Sequence, residues 1–153
     1  QLIFKWDSSK EIKEVTCDKD YQVIKISRDV VESDKYENRS YLINKLKTWW
    51  SNIDDFFKKG GAGFCAIING KIVGSCISGY RAGKIHAIDI ETMEGYRKKG
   101  IAYHMAKELI DYLLDNDQLP YWDCMEVNIP SKKLAKKLGF YQADGYICYY
   151  FCL

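Results

Sequence analysis

This sequence lacks an excess of charge of either sign. Its 23 Lys and Arg face 21 Asp and Glu, leaving a formal charge of only +2. A general nucleic-acid binder would carry a strongly basic surface, so the balance argues against one. Long apolar runs are also missing: none approaches the roughly 20 residues that span a bilayer. The opening QLIFKWDSSK is too polar for a signal peptide, and no Met begins it; the chain is expected to be processed or cut from a longer protein. Six cysteines, Cys17, Cys65, Cys76, Cys124, Cys148 and Cys152, include no C-x-x-C pair. A zinc site needs close, convergent ligand pairs. Only Cys148 and Cys152 are near each other, in an aromatic tail, so the expectation is buried free thiols in a reducing cytoplasm and no metal. The glycine spacing of the basic loop ending at Gly100 follows neither G-x-x-x-x-G-K-[ST], which removes a nucleotide-triphosphatase loop, nor G-x-G-x-x-G, which argues against a dinucleotide fold.

What is present is an ordinary globular composition, 47% hydrophobic and 29% charged over 153 residues, enough for one domain with a real core. No repeat, linker or low-complexity segment divides it. Residues 21–27, YQVIKIS, alternate as a strand does. Residues 28–59 turn helical, with a Trp and Phe stripe that reads as core, and Ser51 with Asp54 resembles an acidic capping box. Two β-rich runs flank Asn69-Gly70, a pair suited to a type I′ hairpin. After a turn at Arg81-Ala82-Gly83, residues 84–92 add a third antiparallel strand. Ile101, Met105, Leu109 and Leu113, widened by Ala102, Ala106 and Ile110, mark a helix with one buried face. YWDCM reads as a short strand. NIPSKKLAKKLGF reads as a helix capped by Asn128 and stopped at Gly139. The tail ICYYFCL is read as a further strand.

Between the third strand of the meander and the Ile101 helix stands ETMEGYRKKG. A helix's first amides have no internal partner, and its dipole places partial positive charge there. Gly100 lets the backbone approach a bulky ligand, while Arg97, Lys98 and Lys99 add formal charge. The arrangement suits a phosphate, most naturally a pyrophosphate. Taken alone, the same loop is equally a solvated surface turn.

RKKGIA resembles the R/Q-x-x-G-x-G/A signature of the GNAT superfamily of N-acetyltransferases. The order of elements and the segment NIPSKKLAKKLGF are similar to that family as well, over residues 21 to 153. Within it, IET…YRKKGIA, PYWDC and SKKLAKKLGF look most like the branch that includes zwittermicin-A resistance enzymes, whose members carry extra N-terminal sequence. The resemblance implies an α/β fold: a mostly antiparallel sheet, splayed between its fourth and fifth strands, with helices on both faces. It implies acetyl-coenzyme A as co-substrate and a small amine as acceptor, with no nucleic acid and no membrane; a homodimer is left open. Ile90, Glu91 and Thr92 would pair through their backbone with the pantetheine. Arg97, Lys98, Lys99, Gly100, Ile101, Ala102 and Tyr103 would hold the pyrophosphate. Asn128 and Ser131 would line the cofactor channel, the reading preferred here for Asn128 over a helix cap alone; Ser131 is also readable as a solvent-facing helix residue.

Acyl transfer needs a neutral amine, and a lysine-like amine has a pKa of about 10.4. A base must take its proton. The resemblance offers Glu91 first, His86 second and Asp123 third. His86 and Glu91 are an odd number of residues apart, so an unbroken strand would turn them to opposite faces. His86 is also readable as a hydrogen-bonded core residue. The departure from the family is Ala135, where many members place the Tyr that protonates the departing thiolate; a thiol of pKa about 8.5 leaves tolerably without that acid, and Tyr141 or Tyr103 is a neighbouring phenol that could stand in for it. That gap sustains a second reading, a coenzyme-A-binding sensor that has lost catalysis. A third, an RNA-binding module, is opposed by the charge balance.

Overall fold

The computed structural model describes residues 1–14 and 20–149. Seven strands form one mixed sheet: β1 (Leu2–Trp6), β2 (Gln22–Lys25), β3 (Gly63–Ile68), β4 (Lys71–Ala82), β5 (Ile85–Thr92), β6 (Leu119–Cys124) and β7 (Phe140–Gly145). Their order across the sheet is β2-β3-β4-β5-β6-β1-β7. The β2 to β5 pairs are antiparallel, β5 and β6 are parallel, and β1 is antiparallel to both β6 and β7. Helices α1 (Arg28–Glu32), α2 (Arg39–Trp49) and α3 (Ile53–Lys58) cover one face; α4 (Ile101–Asp115) and α5 (Ile129–Lys137) cover the other.

Alternation on β3 explains the two-sided core. Phe64 and Ala66 pack with α4, while Cys65 and Ile67 pack with Val31, Leu42 and Leu46 of α1 and α2, because successive side chains leave a strand on opposite faces. The α4 stripe is buried throughout: Ile101, Met105, Leu109 and Leu113 are at most 1% exposed. The hairpin between β3 and β4 turns at Asn69 (φ 48°) and Gly70 (φ 78°), as a type I′ turn requires. Asn128 caps α5 by accepting from the Ser131 amide at 3.1 Å.

Several expectations shift. The N-terminal residues, read only as polar, form β1 in the interior of the sheet between β6 and β7. Asn52, not Ser51, caps α3, accepting from the Asp55 amide at 2.8 Å. Arg81 and Ala82 continue β4, which moves the turn to Gly83 and Lys84. The last strand is Phe140–Gly145; of the tail read as a strand, residues 147–149 have no regular structure and residues 150–153 lie outside the described residues. Cys17 and Cys152 also lie outside them. Cys65, Cys76 and Cys124 are buried free thiols and Cys148 is exposed; burial pushes the Cys65 thiol up to about 12. No helix among the described residues is long and apolar enough to cross a membrane.

One irregularity positions the site. β5 and β6 are paired only from Ile85↔Leu119 to Ala87↔Tyr121, yet β5 runs on to Thr92 and β6 to Cys124. The two strands part where the pairing stops. With β1 counted, these are the fifth and sixth strands of the chain, and they correspond to the pair between which the family resemblance implies a splay.

Candidate active site

The parted strands enclose a cleft of about 170 Å³, lined by Ile88, Asp89 and Ile90 of β5, by Trp122, Asp123 and Cys124 of β6, and by Gln1, Met125, Asn128 and Ser131. Beyond Ala87 the β6-facing edge of β5 has no strand partner, so its backbone groups are open to an extended ligand. At the C-terminal end of β5 the chain passes through a single 3-10 turn, Glu94–Tyr96, and enters α4.

The start of α4 is built from left-handed backbone. Lys98 (φ 64°) and Gly100 (φ 77°) both lie in that region, which only glycine enters without a steric penalty. A Cβ at Gly100 would have nothing nearer than the Tyr21 hydroxyl at 3.9 Å, so conformation and not packing calls for glycine. Gly100 is the N-cap and supplies no side-chain acceptor, and the first turn contains no acid. By contrast, α1, α3 and α5 are each capped by a side chain. The leading amides of α4 are thus left for an anion. The residues present fit a pyrophosphate at the helix and a pantetheine chain along β5. Arg97 donates to the Thr92 carbonyl at 3.0 Å, tying the loop back to β5. Lys98 and Lys99 are exposed. Tyr103 is buried, with its hydroxyl donating to the Lys13 carbonyl at 3.0 Å.

Glu91 and Asp89 leave β5 on the α2 side. Lys45 of α2 lies between them, its Nζ 3.0 Å from Glu91 Oε2 and 3.1 Å from Asp89 Oδ2. Burial alone would lower the lysine's pKa, but its bonds to the two carboxylates raise it overall. Tyr41, also on α2, shares a 3.1 Å hydrogen bond with Ser75, the residue paired with Glu91 across the strands; burial pushes its phenol up.

His86 lies on the other face, 1% exposed. Its Nδ1 is 2.8 Å from the Ser78 hydroxyl and its Nε2 3.3 Å from Gln118 Oε1. Burial, the dominant cause, holds its pKa below the ordinary value. The structure thus separates His86 from Glu91. Asp123 does line the cleft, and accepts from the Tyr146 hydroxyl at 2.8 Å. That bond is the main cause pushing the Tyr146 phenol up. Tyr141 is paired with Lys5, towards the far end of β1 from the cleft. Asn128 and Ser131 are both cleft residues: the Asn128 side-chain oxygen serves as cap, and Ser131 Oγ accepts from Trp122 Nε1 at 3.0 Å. Ala135 is fully buried. Lys45, Asp89 and Tyr146 were not singled out in the sequence. The i, i+2 spacing of Asp89 and Glu91 was a readable signal; Lys45 and Tyr146 arrive by tertiary contact alone.

Comparison with known proteins bears on the family and the fold. The family described as GNAT acetyltransferase matches residues 6–149. The protein described as uncharacterized N-acetyltransferase YdfB of Bacillus subtilis (strain 168) is 32% identical over 126 residues, covering 82% of this chain and 46% of its own length. The chain belongs to the GNAT acetyltransferase family, and it spans about half the length of that curated relative. Among solved structures, a GCN5-related N-acetyltransferase-like protein from Streptococcus suis 89/1591 superposes with a TM-score of 0.71 at 20% identity, over 94% of this chain and 58% of the other. The aminoglycoside N-acetyltransferase AAC(6')-Iy, in complex with CoA, superposes with a TM-score of 0.64 at 15% identity, over 86% of this chain and 100% of the other. At these identities the structural likeness concerns the fold.

Proposed function

We propose that this chain, as a single domain, transfers an acetyl group from acetyl-coenzyme A to the amine of a small molecule by direct attack. The observation that carries the reading is the succession of two features along the chain: a cleft between β5 and β6 and, one short turn beyond the end of β5, an uncapped, left-handed entry into α4. Acetyl-coenzyme A would supply the activated acyl group. The free edge of β5 at Ile90 to Thr92 would hold the pantetheine, and the amides from Lys98 to Tyr103 would hold the pyrophosphate.

In this reading Glu91 is the general base. It stands on the strand that borders the cleft, on the α2 side, and it already bonds an ammonium group, that of Lys45. Asp123 is the second candidate, from the β6 wall. The departing thiolate needs little help, since a thiol of pKa about 8.5 leaves tolerably as its anion; buried Ala135 gives none. The acceptor is a small cationic amine of the antibiotic-like kind that the zwittermicin-A-resistance resemblance suggests. The presence of aminoglycoside N-acetyltransferases among the fold neighbours is compatible with that class. The experiment is calorimetric titration of acetyl-coenzyme A into the chain, followed by thiol release with a panel of amines. Absence of binding at millimolar cofactor would end the proposal.

A further inference from the structure

An ammonium group already sits against the carboxylate that the function proposed above makes its base. Lys45 rises from α2 with its side chain only 20% exposed. Its Nζ is within hydrogen-bond distance of Asp89, a cleft-wall residue, and of Glu91, the base in the function proposed above. No other lysine among the described residues forms an ion pair with either carboxylate. A lysine stem has four flexible carbons, and one of its two partners, Asp89, is a residue that lines the cleft. Tyr41 and Ser75 also face this cluster, joined to each other by a 3.1 Å hydrogen bond.

We propose that Lys45 is itself an acetyl acceptor: with no external amine present, the chain acetylates its own Lys45 Nζ. This inference rests on the function proposed above. The step balances without any further reactant. Lys45 gives one proton to Glu91, which passes it to solvent. Its nitrogen lone pair then forms the N–C bond to the thioester carbonyl as the C–S bond breaks and the electron pair leaves with sulfur. The second proton lost from nitrogen ends on the thiolate, so the products are acetyl-lysine, coenzyme A and one released proton. Because the carboxylates keep Lys45 protonated at rest, the reaction is slow and speeds up as pH rises. Its product is neutral, so acetylation would release both carboxylates from their resident partner and open the seat to a cationic acceptor.

The test is to incubate the chain with acetyl-coenzyme A alone and follow acetyl occupancy of every lysine by peptide mass spectrometry. Lys45 should gain acetyl about a hundredfold faster than exposed Lys47 and Lys58, the lower end of what a positioned base supplies. The label should vanish in Lys45→Arg, where a guanidinium can keep both ion pairs, and drop to the exposed-lysine rate in Gly100→Glu. Thermal shift with desacetyl coenzyme A, measured in parallel, separates the two levels of inference. Cofactor binding with Lys45 labelled no faster than Lys47 overturns self-acetylation alone. So does a label on Cys124, which hydroxylamine would remove. A chain that binds no cofactor overturns the proposed function, and self-acetylation with it.

Discussion

His86 and Glu91 share strand β5 and face opposite sides of the sheet. His86 is bonded to Ser78 and Gln118 beneath the end of α4, and Glu91 to Lys45 of α2. The irregularity in this pair of strands falls on β4, between Ser78 and Tyr80, so β5 keeps its alternation and cannot bring the two side chains together. Their substitution effects should therefore separate. Glu91→Gln should leave coenzyme A affinity unchanged, since the cofactor contacts proposed there are main-chain. It should lower the rate with amine by about 10²–10⁴-fold, the usual worth of a general base. Lys45 retains Asp89 in this variant, so the fold should be kept. The lost rate should return at high pH, where free amine is abundant. His86→Gln should change the rate far less. The reverse pattern would move the base to His86, and near-wild-type rates in both variants would move it to Asp123.

His86 also predicts a pH dependence of stability. Burial lowers its folded-state pKa below the ordinary value of about 6.5. Below pH 6.5 the unfolded chain binds a proton that the folded chain resists, so stability falls as pH drops towards the folded pKa and levels off beneath it. Chemical denaturation of wild type and His86→Gln across pH 7.5 to 5 should show this slope in wild type and a shallower one in the variant. Equal slopes would mean that carboxylates elsewhere set the acid limb.

Most of the fold was legible because its signals are local. Asn69-Gly70, the four-residue spacing from Ile101 to Leu113, and Asn128 with Gly139 each dictate a turn, a face or a cap within a few residues. β1 was not legible: Leu2, Ile3 and Phe4 are consecutive apolar residues with no alternation, and their place between β6 and β7 is set by pairing with strands more than a hundred residues away. For the same reason the loop before α4 could be found in sequence, while the Lys45 bridge could not. Nothing near residue 45 announces that two carboxylates of β5 will meet it. Ser51 and Asn52 show a third kind of limit: both are good cap residues, and sequence pattern alone cannot choose between neighbours.

Gly100 separates conformation from charge. Its φ of 77° costs a residue with a Cβ roughly 1–2 kcal/mol, but the space around it is open. Gly100→Ala should therefore lower stability by about that amount and still bind coenzyme A. Gly100→Glu places a carboxylate where the phosphates are proposed to sit and should abolish binding. For wild type, cofactor at about a hundred times its Kd should add about 2.7 kcal/mol of stability. Differential scanning calorimetry with and without cofactor reads all three. A Gly100→Glu variant that still shows the full ligand-induced rise would place the pyrophosphate elsewhere.

Asn128 lines the cleft and caps α5 with the same side chain, and two substitutions distinguish those roles. Asp can accept from the Ser131 amide as Asn does, and its charge complements the helix N-terminus, so Asn128→Asp should keep the unfolding free energy within a few tenths of a kcal/mol. Asn128→Ala removes the acceptor and should cost about 0.5–2 kcal/mol. Cofactor affinity then reports the other role. If the amide nitrogen donates to the pantetheine, both variants lose that donor, and Asn128→Asp adds repulsion to an anionic ligand as well. Affinity should then fall in the stable Asp variant by more than in the destabilised Ala variant. If Asn128 is a cap alone, coenzyme A affinity should stay level in Asn128→Asp, and any loss in Asn128→Ala should follow its stability. Calorimetric titration of the two variants beside wild type decides between these outcomes, and an unchanged Kd in Asn128→Asp would remove Asn128 from the cofactor site.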